Sequence, residues 1–186
     1  MKPLDSLADA WAWYEDTRLQ LRLIERLARR YWDQLLLQRE LANDEHFHRF
    51  QGPEMEKKAG FTLFHLDDLA IVVLFSVFEA QVRERVLQEI QTEEASLHHR
   101  AIKSAVQEAK EQIKEGSFFH VLQPYKYEHA DLVEQVNQVR RYRNWVAHGR
   151  RGVQPEIVEP RTALDRLNRF LLVLQPQPSS TETSTP

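Results

Sequence analysis

Apolar residues recur along this chain at steps of three and four, the period of a helix face, and no strand-type alternation competes with it. From Asp5 to about Ala42, one face is marked by Leu7, Trp11, Tyr14, Leu21, Ala28, Trp32 and Leu35. Asn43–His65 contains Gly52, Pro53 and Gly60 and reads as a loop. A second helix is expected from Leu66 to about Glu94, with Asp67 and Asp68 in its first turn, where the helix dipole favours acids. A third, mostly polar, runs from Ser96 to about Glu115 and is ended by Gly116. Ser117–Tyr127 reads as an aromatic connector broken at Pro124. Glu128–His148 is the fourth helix, with Gly149 placed as its C-terminal cap. The fifth runs from Pro160 to about Leu174, with proline at the start, where a missing N–H costs nothing. Gln175–Pro186 has no apolar residue and is expected to be disordered. The pattern predicts one all-α domain over residues 1–174, an up-down bundle of about five helices, followed by a tail at 175–186.

Two charges fall on apolar faces. On the fourth helix, Leu132, Val136, Val139, Val146 and Ala147 form a stripe, and Arg143 sits inside it, seven residues after Val136. An unpaired buried guanidinium costs several kcal/mol, so Arg143 is expected to be paired, to face a polar cleft, or to snorkel. On the second helix, Phe75, Phe78, Val82 and Val86 form a stripe with Glu79 at its edge. Glu79 can pair with Arg143 across the bundle, or with Arg83 one turn along its own helix.

Composition narrows the chemistry. The 186 residues contain no cysteine, which removes thiol nucleophiles, disulfides and cysteine-ligated metals. Five glycines and no GxGxxG or GxxxxGK[ST] leave no phosphate-cradling loop. His46-x-His48 and His98-His99, the latter expected in the third helix, lack a third ligand at helical spacing, so no metal and no cofactor is expected. The tryptophans Trp11, Trp13, Trp32 and Trp145 are assigned to core or interface. Phe118, Phe119, Tyr125 and Tyr127 are assigned to packing over the bundle end, and Arg83-Glu84-Arg85 to a solvated face. The longest apolar run, Leu69–Phe75, is short for a membrane span, and Met1–Asp16 lacks a signal-type apolar region. A cytoplasmic protein with no membrane partner is expected.

Charge then points to one place. Lys+Arg is 25 and Asp+Glu is 28, giving −3. Arg140–Arg151 carries five arginines, a histidine and no acid, so the remainder sums to −3 − 5 = −8. A concentrated arginine patch on an acidic protein suits phosphate. Within it, Asn144 and His148 are neighbours on one flank, whereas Arg143 and His148 lie about 140° apart on an ideal helix. They converge only if the last turn unwinds at Gly149 or a second copy packs alongside.

These residues resemble a known family. Arg143-Asn144-Trp145-Val146-Ala147-His148 is similar to the Rx4–6H motif of the HEPN superfamily, on a late helix of an all-α bundle. Leu74-Phe75-Ser76-Val77-Phe78-Glu79 resembles the S-x-F-E signature on an earlier helix of several HEPN families. The resemblance covers roughly Asp5–Leu174 in helix order and is close to the group found in bacterial defence and ribonuclease-linked loci. It implies a metal-independent endoribonuclease, a toxin or defence effector, dimerising through the motif helix. Arg143 and His148 would act at the dimer interface, Asn144 would orient the phosphate or the histidine, and Glu79 would hold Arg143. Arg140, Arg141, Arg150 and Arg151 would hold the RNA backbone without reading sequence. Implied partners are RNA, a second copy of the chain, and a cognate antitoxin or defence-system protein. HEPN toxins paired with nucleotidyltransferase antitoxins often carry a tyrosine shortly after the histidine. Here Gly149, Arg150 and Arg151 stand there instead. Two other readings remain open: an inactive HEPN-like dimer that binds RNA or a partner protein, and a structural or antitoxin-type bundle.

Overall fold

The computed structural model describes residues 3–38, 44–45 and 49–174. Among them stand seven α-helices and one 3-10 turn, with no strand. The protein is all-α. The tail at 175–186, the end of the first expected helix at Ala42, and His46 and His48 lie outside the described residues.

Helix α1 spans Leu7–Arg30 and is capped by Ser6, whose Oγ accepts the Asp9 amide at 3.1 Å. The expected helix to Ala42 is interrupted at Tyr31, whose φ of −131° is not helical, and a short α2 follows at Trp32–Leu36. Neither glycine nor proline marks this break. Its cause is tertiary. Trp32 is buried against the start of the next helix and donates its indole N–H to the Phe50 carbonyl at 3.1 Å.

The largest departure from expectation is helix α3, which spans Gly52–Glu94. Gly52–His65 was expected as loop and is helical. Pro53 stands in the first turn, where its ring is tolerated, and glycine is required at 52 by crowding. A Cβ there would stand 2.8 Å from the Ala28 carbonyl oxygen. Asp67 and Asp68 are therefore mid-helix residues rather than first-turn acids. By length and composition, α3 is the one described helix long and apolar enough to cross a membrane. In the bundle, its Ile71, Leu74, Phe75, Phe78 and Val82 are at most 1 % exposed and form the centre of the core.

Helix α4, Arg100–Glu115, starts later than expected, because His99 caps it by accepting the Ala101 amide on Nδ1 at 3.2 Å. His98 and His99 thus precede the helix. The aromatic connector folds as a short α5, Phe118–Leu122, and a 3-10 turn, Gln123–Lys126. Phe118 packs edge-on against Phe75 and Phe78, and Tyr125 against Phe170. Tyr127, expected to pack as well, is fully exposed. Helix α6 spans Ala130–Ala147 and α7 spans Pro160–Val173, each close to its expected bounds. Val133, Val136, Val139 and Tyr142 of α6 meet Ala163, Leu164, Leu167 and Phe170 of α7 over the core face of α3. Helix α1 lies antiparallel along the first half of α3, tied by Tyr14 to Asp67 at 2.7 Å and by Arg29 to Glu56 at 2.7 Å.

Candidate functional site

The candidate site is built where α6 stops. His148 is the C-cap, Gly149 follows with φ +73°, and Arg150 with φ +59°. The Gly149 amide donates to the Val146 carbonyl at 3.0 Å and the Arg150 amide to the Trp145 carbonyl at 2.8 Å. This is a Schellman closure, and the left-handed position after the cap is the reason for glycine at 149. Arg150 has a Cβ and occupies the same left-handed region, at a cost of about 1 kcal/mol.

Side-chain contacts offset that cost. The Arg150 guanidinium donates to the Asp68 carboxylate, stands 3.4 Å from His65 Nδ1, and lies over the Trp145 ring at 5.8 Å. Asp68, 9 % exposed, also accepts the Tyr142 hydroxyl at 2.6 Å. Burial, reinforced by the bond to Asp68, pushes the Tyr142 hydroxyl from its ordinary 10.0 up to about 12. Tyr14 is raised to about 12 in the same way, by burial and then by Asp67. Phe64, Asp68, Tyr142, Trp145, Arg150 and Ile157 wall a cleft of about 360 Å³ beside the helix end. The sequence reading missed Asp68, Tyr142 and His65. The available signal was a pair of aspartates placed directly before an apolar run.

Arg143 faces inward, as its place in the stripe predicts. Its Nη1 donates to Asn144 Oδ1 at 3.0 Å, its Nη2 stands 3.7 Å from Glu79 Oε2, and its guanidinium lies 5.3 Å over Phe75. Its Nε is buried without a hydrogen-bond partner. Both alternatives for Glu79 are realised, because its other oxygen accepts Arg83 Nη2 at 2.6 Å. Arg83 corrects an expectation. Placed on a solvated face by its sequence context, it is 16 % exposed, crosses to the Gly116 carbonyl at 2.9 Å and covers Phe118. Glu79 is thus a bridge between two arginines.

The remaining candidates divide. His148 is exposed at the helix end, and so is Ala147, which the apolar stripe had placed inside. The structure brings Arg143, Asn144 and Glu79 together and leaves His148 on the rim. Of the four arginines expected to hold RNA, Arg151 is exposed, and Arg141 is exposed but paired with Glu134 at 2.5 Å. Arg140 donates to buried Asn137 at 3.1 Å and covers Phe119. Burial first, then the nearby Arg141 and Arg143, lowers the pKa of its guanidinium. Arg150 is taken up by Asp68. The patch therefore presents fewer free charges than its count of arginines suggests. No protein-family model, no curated protein and no solved structure matches this chain.

Proposed function

We propose that the protein is a metal-independent endoribonuclease of HEPN type that works as a homodimer, a toxin or defence effector acting in the cytoplasm. The observation that carries this reading is the end of α6. An inward arginine is held between a carboxylate, an amide and a ring, and a histidine stands exposed five residues later at a Schellman turn. RNA supplies its own nucleophile, so this pair of side chains is sufficient for the chemistry. His148 removes the 2′-hydroxyl proton or returns one to the leaving 5′-oxygen. Arg143 neutralises charge on the phosphorane, where a guanidinium makes two directed bonds. Products are a 2′,3′-cyclic phosphate and a 5′-hydroxyl. Asn144 and Glu79 position the guanidinium. Arg151 and Arg141 meet the backbone at the rim.

The same geometry supports a homodimer. Within one chain Arg143 points in and His148 points out, so a second α6 end is needed to set an arginine beside a histidine. Exposed Val153 and Ile157 around this end supply apolar surface for such a contact. A cognate antitoxin or defence partner would cover the same surface.

One observation favours a second reading, a bundle without nuclease activity. Glu79, Arg83, Arg143 and Phe75 form a cluster of ion pairs and ring contacts that also serves packing. Incubation of the pure protein with mixed RNA in EDTA separates the two. The ribonuclease produces cyclic-phosphate ends and the His148→Ala variant produces none; absence of cleavage by the parent protein leaves the packing reading.

A further inference from the structure

We propose that the solvent flank of α1 is a track for single-stranded RNA leading to the α6 end, an inference that rests on the ribonuclease reading and names how its substrate is held. Arg18, Arg22, Arg26, Arg29 and Arg30 fall within about 120° of the α1 surface and span about 18 Å along it. Over Thr17–Arg30 the only acid is Glu25. Glu25 and Glu56 both pair with Arg29. Arg22, Arg26 and Arg30 are exposed and have no ion-pair partner among the described residues. A surface groove of about 320 Å³ is walled by Arg22, Glu25, Arg26, Arg29 and Arg30.

One chain of contacts links the flank to the candidate site. Arg18 lies 5.7 Å over the Tyr14 ring, and Tyr14 donates to Asp67, which lines the cleft beside Arg150. On α3, Phe61 and Phe64 are 67 % and 71 % exposed, each with its ring against His65, which itself meets Arg150. Free arginines tracking a backbone, interleaved with exposed aromatic faces, match what an unpaired nucleic-acid strand needs. An anionic lipid surface would use the same arginines with exposed Leu19 and Leu23. The aromatic continuation toward the scissile site favours RNA, which must reach His148.

The test compares the full chain with the triple variant Arg22→Glu/Arg26→Glu/Arg30→Glu, whose positions lie outside the proposed catalytic set. Helix content by circular dichroism verifies folding. Fluorescence anisotropy with a single-stranded RNA of about 16 nucleotides is measured over a salt series. The variant is expected to bind at least about 10-fold more weakly, with a log–log salt slope shallower by about 2, for three lost phosphate contacts. Cleavage of a dinucleotide, too short to reach α1, stays unchanged. If the variant binds the longer RNA as the parent does while His148→Ala abolishes cleavage, the track is overturned and the nuclease reading stands. If the parent binds RNA through these arginines but cleaves nothing, the track stands and the nuclease reading falls. Retention on phosphatidylserine-rich vesicles without RNA binding overturns the track in favour of a lipid surface.

Discussion

Arg143 and Arg150 lie seven residues apart at the end of α6, and each meets a carboxylate of α3, yet they do opposite things. Arg150 sits in the left-handed region, bonded tightly to an aspartate that also anchors a buried tyrosine. Its charge is spent on closing the helix end against α3. Arg143 keeps ordinary helical geometry, and its nearest carboxylate oxygen is 3.7 Å away on a glutamate already held by Arg83. Removing Arg150 breaks a clasp. Removing Arg143 leaves Glu79 satisfied. An arginine kept among apolar side chains at a cost in desolvation, with its carboxylate already held by another arginine, is what the proposed ribonuclease would need.

Within the ribonuclease reading, His148→Ala is expected to lower the cleavage rate by about 10²–10⁴-fold, the usual share of a general acid or base. Arg143→Met is expected to cost about 10²-fold or more, the scale of one lost transition-state donor. Thermal melting should show the Arg143→Met variant within about 1 kcal/mol of the parent, as for a weakly coupled, partly exposed ion pair. A collapse of that variant would move Arg143 to the structural side.

The clasp gives the next effects. Asp68→Ala leaves the Tyr142 hydroxyl buried without an acceptor and Arg150 unpaired, and is expected to cost about 3 kcal/mol in denaturant unfolding. Arg150→Gly and Arg150→Ala lose the same ion pair, but only alanine keeps the backbone strain. Glycine should be the more stable of the two by about 1 kcal/mol before its greater unfolded-state freedom is counted. An alanine variant clearly more stable than the glycine one would place Arg150 outside the left-handed region in solution.

A smaller effect is read by alkaline titration. Tyr14 and Tyr142, both raised to about 12 from 10.0, hold their protons more tightly folded than unfolded. Their contribution to stability is therefore whole below pH 10 and is lost as pH rises from 10 to 12. Absorbance at the phenolate band should show two protons titrating near 12, and Tyr142→Phe should remove one of them.

Much of this site was legible because it is local. A helical wheel places Arg143 among valines, and Gly149 marks the end of α6; both hold in the structure. The choice between Arg83 and Arg143 for Glu79 was not decidable by spacing, and the glutamate takes both. What escaped was tertiary. The first turns of α3 hide behind Gly52, Pro53 and Gly60, residues that break helices by propensity. Here one is needed for close approach to α1 and one for the first turn. The break at Tyr31 carries no local signal, since it is set by Trp32 docking near Phe50. Asp68 and Arg150 are 82 residues apart, and a non-glycine left-handed residue cannot be read from a neighbour pattern.

The central claim is that one chain holds only half of a working site, with Arg143 turned in and His148 turned out. It is tested most directly by specific activity on RNA in EDTA, measured across protein concentration beside sedimentation of the same samples. The account predicts activity per chain that rises with the dimer fraction and vanishes where the 22.0 kDa monomer dominates. Constant activity per chain through the monomeric range would contradict it.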